Sequence, residues 1–347
     1  MMNEHATSRP ERGDRAMRRT VVVRGGRQRG GRAGRLAAPA LSLVMVVSGC
    51  SAQGAASSAP SGQAVTRSAS PAAQEVSAGR TKEAPATAPP TPSPPAADAA
   101  IPSDPSRLAR SLTTTSEELR RAVDAWLRDD RAKGKPPEPV VLLALYQQRV
   151  YRHLARDPGL ASRTYAKLSG SLAAQAKDNV TAIRDLLTLV RPIKGAVKLR
   201  IEQPESADVL LRHFRRAERR FGVEWEVLAA VMFVETKFGR VRSPSHTGAK
   251  GPMQFMPRTW DAYGMGGDVH DTQDAIFGAA NYLRASGAPR DYRRALWAYN
   301  HSYRYVNAVQ LHARQIKRDI RNYYAYYNWQ VYAVTTRGDR RLSGPGA

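Results

Sequence analysis

The chain has 347 residues, and its formal net charge is +24 because 54 lysines and arginines outnumber 30 aspartates and glutamates. This length leaves room for two or three domains. One cysteine excludes an intrachain disulfide framework and a cysteine-based metal site. The histidines are scattered without the spacing of metal ligands, so the sequence predicts neither a metal nor a cofactor.

Residues 1–49 are predicted to be a lipoprotein signal peptide. Residues 1–35 hold ten arginines and three acidic residues, and the apolar run from Leu36 to Val47 is too short to cross a membrane. The Val-Ser-Gly-Cys sequence that ends at Cys50 resembles a bacterial lipobox, in which Cys50 becomes the lipid-modified first residue. A plain secretory signal with an incidental cysteine is the alternative, and the start codon is Met1 or Met17. We expect an exported protein that is lipid-anchored to the cell membrane and faces the cell wall.

Two segments are predicted to be disordered. Residues 50–104 consist largely of alanine, serine, proline and threonine, and such a composition cannot bury enough apolar area to offset the entropy of ordering. We interpret this segment as a tether. Residues 336–347 are predicted to be a disordered tail.

Residues 105–203 are predicted to be a helical region, to which the sequence assigns no function. Two threonines before two glutamates, within residues 114–118, have the spacing of a capping box and predict a helix through Trp126. Apolar residues at helical spacing predict two further helices, over residues 143–156 and 172–190.

Glu235 is the most unusual residue of the remaining part, residues 204–335. It lies near the end of a predicted helix over residues 223–238 that is apolar on nearly every face and therefore belongs in a core. None of the side chains three or four positions away can pair with it. Burial should therefore penalise the ionised form and raise the pKa, as general acid catalysis requires. A buried structural carboxylate, bonded to backbone amides or to Arg240, is the alternative.

Four motifs in order resemble the catalytic core of lytic transglycosylases of the goose-type lysozyme superfamily. They are Glu235, the run from Gly248 to Pro257, Asn281-Tyr282-Leu283 and Ala298-Tyr299-Asn300, and the resemblance covers about residues 205–315. It implies that residues 204–335 form an SLT-like catalytic domain. Because no alternating stretch is long enough for a sheet, we expect an all-α fold: a goose-type lysozyme-like domain with a helical region before it.

The resemblance also implies a reaction and a set of site residues. Glu235 is the expected general acid and base in cleavage of the N-acetylmuramic acid to N-acetylglucosamine bond of peptidoglycan. The substrate's acetamido group would assist, and a 1,6-anhydromuramic end would form. The expected substrate-binding residues are Gln254, Tyr299, Asn300, Ser243, Ser245 and Met253, and only one of the two serines need point inward. His301-Ser302 departs from the family, and the sequence around Glu235 is more similar to its membrane-bound branch.

Two other functions stay open at the level of sequence. A lysozyme-type hydrolase on the same fold would need a second carboxylate, for which Asp268 and Asp271 have the best loop positions. A non-catalytic wall-binding scaffold is the other alternative. The expected partners are peptidoglycan glycan strands, the membrane through Cys50 and, because +17 of the charge lies after residue 49, anionic wall polymers. Nucleic acid is excluded as a partner because an exported protein does not meet the genome. The alternative to binding of anionic wall polymers is a basic surface that is simply solvated.

Overall fold

The computed structural model describes residues 93–129 and 134–347. The predicted signal peptide, Cys50 and most of the predicted tether lie outside these residues. Helices dominate what is described, and the predicted helical fold is confirmed. In chain order the helices are α1 (Pro105–Arg128), α2 (Glu138–Arg156), α3 (Pro158–Tyr165), α4 (Gly170–Leu187), α5 (Ala207–Phe221), α6 (Trp225–Thr236), α7 (Pro257–Tyr263), α8 (Thr272–Ala285), α9 (Tyr292–Tyr299), α10 (Tyr303–Arg318) and α11 (Arg321–Tyr327).

Helix α6 occupies the centre of the molecule because it has no polar face. Every residue from Val227 to Thr236 is buried. Helices α5, α8, α10 and α11 all pack against it. A helix that is apolar all round reaches a stable position only when neighbours cover it on every side. The surrounding helices therefore fix where Glu235 lies.

Aromatic side chains fill the contact between α6 and the C-terminal part of the chain. The ring of Phe233 stacks on Tyr326 at 5.0 Å between centroids and meets Trp329 at 5.6 Å and His312 at 4.9 Å. Phe238 packs on Phe233 from the turn that follows α6. Burial of an aromatic side chain of this size contributes about 1.5–3 kcal/mol, and favourable ring geometry adds to it.

The N-terminal helices belong to the same core. Helix α4 packs along α10, and α2 packs on α4. Inside the core, the Tyr326 hydroxyl donates to Asn179 Oδ1 over 2.7 Å. The Gln148 amide is bonded twice to the backbone of Gln330, over 2.9 and 2.8 Å. The predicted boundary at residues 203/204 therefore does not separate two hydrophobic cores: one continuous core holds both regions.

The C-terminal residues form a β-hairpin, so two expectations are wrong: that no sheet is present and that residues 336–347 are a disordered tail. Strand β1 (Tyr332–Thr335) pairs antiparallel with β2 (Gly338–Arg341). The hairpin is fastened to α2 because Asp339 in β2 accepts hydrogen bonds from Arg152 and Arg156. Two strands of four residues are too short to show a period of two in the sequence.

The folded part also begins earlier than expected. The carbonyl of Ala97 accepts from Arg149 over 3.1 Å and from Arg341 over 2.9 Å, so the end of the predicted tether is bound to the helices and the hairpin. Helix α1 starts at Pro105, nine residues before the predicted threonine cap. Asp104 caps it and Pro105 holds its first position, and this Asp-Pro pair is the stronger start signal.

Two other findings complete the fold. The sequence did not predict α3, which Asp157 caps by accepting from the backbone N–H of Leu160. Among the helices in residues 93–129 and 134–347, none combines the length and apolar character needed to cross a membrane.

The single core predicts one cooperative unfolding transition for both regions. Gln148→Ala should lower the free energy of unfolding by about 2–4 kcal/mol, because it leaves two buried backbone groups of Gln330 without partners. Chemical denaturation followed by circular dichroism and tryptophan fluorescence measures the change. Gln310→Ala, at an exposed position of α10, is the control and should have little effect. Separate transitions for the two regions would contradict the single core.

Candidate active site

Glu235 is the next-to-last residue of α6 and is 3 % exposed. Its Oε2 atom is buried and has no hydrogen-bond partner among the described residues. At the C-terminal end of a helix, the backbone carbonyls disfavour a negative charge. The site thus holds a carboxyl group whose ionised form gains little from its surroundings.

The pKa of Glu235 is raised to about 8, and burial is the largest cause. The nearby Tyr305 hydroxyl and the positive charge of Lys237 oppose the rise without cancelling it. No carboxylate contributes to the shift. The rise expected from the sequence is confirmed, and a raised pKa favours the protonated carboxyl group that general acid catalysis needs.

A tight turn ends α6 one residue after Glu235. Lys237, Phe238 and Gly239 are all in the left-handed region, with φ values of 53°, 62° and 84°. The first two lack the conformational freedom of glycine, so the turn stores strain. The buried Thr236 hydroxyl holds the turn, because it donates to the Pro252 carbonyl over 2.6 Å and accepts from the Gly239 N–H over 2.8 Å. This bond to Pro252 ties the end of α6 to the Gly248–Pro257 loop.

Gln254 lies in that loop with a left-handed backbone, at φ 52°, and is 4 % exposed. Backbone pairing between Lys250 and Phe255 closes the loop around it, over 2.8 Å in both directions. Its Nε2 donates to the Gly251 carbonyl over 3.0 Å, whereas its buried Oε1 has no partner among the described residues. A side chain at Gly251 would collide with the Val269 carbonyl, 1.9 Å from where its Cβ would lie, so this close approach requires glycine.

Tyr299, the last residue of α9, connects Glu235 to the loop. Its hydroxyl donates to the Met253 carbonyl over 2.7 Å. Burial, and then the charge of Glu235, raise the pKa of Tyr299 well above its usual value, so the hydroxyl remains a donor. The Met253 side chain is fully buried, and the Met253 carbonyl is the group that accepts the hydrogen bond from Tyr299.

Asn300 ends α9 and is 4 % exposed. Its backbone N–H closes the helix on Leu296, whereas its buried Oδ1 accepts no hydrogen bond from the described part of the chain. Glu235, Gln254 and Asn300 thus each keep one buried oxygen without a protein partner. Other buried polar atoms of the described residues also lack a partner, and these three are the ones that lie on motif residues.

The two candidate serines are engaged in backbone contacts. The Ser243 hydroxyl accepts from the Arg200 N–H over 2.8 Å and so fastens the segment before α5 to the loop after α6. The Ser245 hydroxyl accepts from the Ala249 N–H over 2.9 Å and lies 2.9 Å from the Thr247 hydroxyl. Both serines shape the loop that leads to Gln254, and neither is among the groups that contribute to the Glu235 pKa shift.

Two residues near Glu235 were missed from the sequence. Tyr305 on α10 is fully buried, and burial with the Glu235 charge raises the pKa of its hydroxyl well above the usual value. Lys237 Nζ donates to the Phe233 carbonyl over 2.9 Å and lies 4.3 Å from the centre of the Phe233 ring. Burial, followed by the charge of Arg152, lowers the pKa of Lys237 to about 7. Neither residue lies in a motif. The packing of α10 places Tyr305 near Glu235, and the turn after α6 places Lys237 there.

The candidate carboxylates for a second catalytic group, Asp268 and Asp271, each accept a local backbone hydrogen bond. Asp268 Oδ1 accepts from the His270 N–H over 2.8 Å. Asp271 caps α8 by accepting from the Asp274 N–H over 2.9 Å. In the described ranges, no group of three or more histidine or acidic side chains could hold a metal ion.

Comparison with known proteins agrees with the motifs. Residues 212–321 match the family model of the transglycosylase SLT domain. A membrane-bound lytic murein transglycosylase F from Thiobacillus denitrificans is 32 % identical over 81 residues. The match covers 23 % of this chain and 17 % of that protein. No solved structure gives a match. The resemblance to lytic transglycosylases, stated above from four motifs, is confirmed.

The raised pKa of Glu235 predicts a pH-dependent stability difference. Between about pH 4.5 and 8 the folded state holds a proton that the unfolded state releases, so the wild type loses stability as the pH rises. Glu235→Gln cannot ionise and should be more stable than the wild type at pH 8.5, by roughly 1 kcal/mol or more. The difference should shrink towards pH 4. Chemical denaturation at pH 4.5, 6.5 and 8.5 measures it.

The matched control is Glu138→Gln, at an exposed position in the first turn of α2. Its effect on the free energy of unfolding should not follow the pH dependence of the Glu235→Gln variant. A Glu235→Gln effect of equal size at all three pH values would show that Glu235 titrates normally.

Proposed function

We propose that this chain, which contains a transglycosylase SLT domain, is a peptidoglycan lytic transglycosylase with Glu235 as its general acid and base. The relative from Thiobacillus denitrificans carries that activity in its name, and the chain spans about a sixth of its length. One observation carries the proposal: Glu235 is buried with a pKa of about 8, and no carboxylate contributes to that shift.

The state of Glu235 suits the first half of the reaction. The protonated carboxyl gives its proton to the glycosidic oxygen as the bond to C1 of N-acetylmuramic acid breaks. The substrate's acetamido oxygen stabilises the positive charge at C1, which removes the need for a protein nucleophile. Substrate-assisted glycosidases are a recognised exception to the two-carboxylate rule.

The second half uses the same carboxylate as a base. Glu235 takes the proton of the C6 hydroxyl while that oxygen attacks C1, which forms a 1,6-anhydro ring and restores the protonated enzyme. The Tyr305 hydroxyl lies near the carboxylate and opposes the rise of the Glu235 pKa. A donor in this position stabilises the ionised intermediate while leaving the resting carboxyl protonated.

Gln254 and Asn300 are proposed to bind the sugar. Their buried amide oxygens have no partner in the described chain, so they can accept from the hydroxyl or acetamido N–H groups of a glycan. Tyr299 acts indirectly by fixing the Met253 carbonyl and thereby the backbone of Gln254. Ser243, Ser245 and Met253 shape the loop on which Gln254 lies.

Export and lipid anchoring belong to the same proposal. The lipobox-like sequence at Cys50 and the basic leader before it support attachment to the membrane with the enzyme facing the wall. The name of the relative describes a membrane-bound enzyme.

The decisive experiment is digestion of purified peptidoglycan in heavy-oxygen water, followed by mass analysis of the released muropeptides. We expect products that are one water lighter than hydrolysis would give, without incorporated label. Glu235→Gln should lower the rate by about 10²–10⁴-fold, because it removes the carboxyl group that is proposed to give and take the proton. Glu226→Gln, on the first turn of the same helix, is the control and should retain activity.

The same assay separates the alternatives. Label at a reducing muramic end would overturn the transglycosylase in favour of a hydrolase. Asp268→Asn and Asp271→Asn would then lose as much rate as Glu235→Gln, whereas the proposal expects both variants to remain active. Binding to insoluble wall without turnover in the wild type would identify a scaffold.

Lipid anchoring has its own test. Cys50→Ala should move the protein out of the membrane fraction or leave it as an unprocessed precursor. Cell fractionation with mass analysis of the mature N-terminus measures this. A wild type that is soluble and begins at another residue would contradict the lipobox interpretation.

A further inference from the structure

A polar cavity of about 510 Å³ lies where the N-terminal helices meet the end of the SLT match. We call it the α1–α10 cavity. Its walls come from α1, from the start of α4 and from the connection between α10 and α11. The volume falls in the range of small-ligand sites. None of the candidate active-site residues lines this cavity.

Two exposed arginines give the cavity positive charge. Arg120 on α1 and Arg318 on α10 are exposed and line the cavity. A third, Arg321, is held by Asp124 and Asp319. Within the described residues, the hydrogen bond from Arg321 and, with a smaller effect, the charge of Arg120 lower the pKa of Asp124 on the next turn of α1. Exposed guanidinium groups in the wall of a cavity favour a ligand with a carboxylate, which they can bind through paired hydrogen bonds.

The rest of the wall offers further polar groups. Ser169 caps α4 without a side-chain hydrogen bond, and no acidic residue lies in the first turn, so this end of the helix favours negative charge. Gln315 is 1 % exposed and donates from Nε2 to Asp178, and its Oε1 accepts nothing from the described chain. Glu117 adds an exposed carboxylate to the rim.

We propose that the α1–α10 cavity binds a short peptide that carries both a free carboxylate and a free ammonium group. Arg120 and Arg318 would bind the carboxylate, Glu117 the ammonium group and Gln315 an amide N–H. The mixed charge distinguishes this ligand from a polyphosphate, which Glu117 and Asp319 would repel. Given the proposed function, the peptide is the stem peptide that peptidoglycan carries on its muramic acid.

Helix α10 connects the cavity to the catalytic residue. Tyr305, beside Glu235, and Gln315, in the cavity wall, are ten residues apart on it, which corresponds to about 15 Å. Helix α10 thus contacts both places, and in this proposal the cavity holds the peptide part of the wall polymer while another segment lies at Glu235. This assigns a role to the N-terminal helices, for which the sequence offered none.

The test is calorimetric titration of the full chain with a synthetic stem tetrapeptide that has free carboxylates and a side-chain amine. The wild type should bind it, and the Arg120→Gln/Arg318→Gln double variant should bind at least 10-fold more weakly. Arg121→Gln, an exposed neighbour on α1 that does not line the cavity, is the matched control and should keep the wild-type affinity. A peptide with amidated carboxylates should bind as weakly as the double variant binds the free peptide.

Several outcomes would overturn the proposal: no binding by the wild type at millimolar peptide, an equal loss in Arg121→Gln, or equal binding of the amidated peptide. Displacement of the peptide by equimolar inorganic phosphate would instead identify a general anion site. If the double variant fails to fold by circular dichroism, Arg120→Gln alone should still weaken binding about threefold, and unchanged affinity would reject the site.

Failure of this proposal is distinguishable from failure of the proposed function. Muropeptide release by the same preparation shows whether the enzyme is active. Peptide binding without release would reject the transglycosylase and leave the peptide site standing. Muropeptide release without peptide binding would reject the peptide site and leave the transglycosylase proposal standing. Glu235→Gln should bind the tetrapeptide with wild-type affinity, because the cavity does not include that residue.

Discussion

Burial of Glu235 inside a helix with no polar face is the constraint on which the rest of the site depends. A carboxyl group in the last turn of such a helix loses water and gains no strong partner, so its ionised form is penalised and its pKa rises to about 8. The turn after α6 ends the helix one residue after Glu235, through two strained residues with left-handed backbone, Lys237 and Phe238. Thr236 then fixes that turn to the Pro252 carbonyl, so the acid and the Gly248–Pro257 loop are positioned by one hydroxyl group.

The environment of Glu235 extends well beyond the residues that the SLT model matches. Phe233, two residues before Glu235 on α6, packs against Tyr326 and Trp329, which follow the matched span. Those rings are in turn held by Asn179 on α4 and Tyr151 on α2. The N-terminal helices therefore help to hold α6, the helix that carries Glu235, in its buried position. A lysozyme-like core cut out at the family boundaries would expose that aromatic cluster to water.

Features set by local sequence could be predicted, and features set by packing could not. The Glu235 pKa follows from the apolar run around it, and the starts of α5 and α8 follow from their capping residues Ser206 and Asp271. The hairpin was missed because each strand has four residues and its register depends on contacts with α2. The placement of Tyr305 beside Glu235 depends on the angle between α6 and α10, which no motif encodes.

Lys237 explains why a single carboxyl group can be kept neutral so close to a basic side chain. Burial raises the pKa of Glu235 to about 8 and lowers that of Lys237 to about 7. Burial thus favours the neutral form of both groups, because two neutral groups lose less hydration than an ion pair in the same place, whereas the attraction between their charges opposes both shifts. Arg152 reinforces this by opposing a charge on Lys237. Since Arg152 is on α2 and also binds Asp339, a helix and a hairpin outside the matched domain contribute to the proton state of its catalytic candidate.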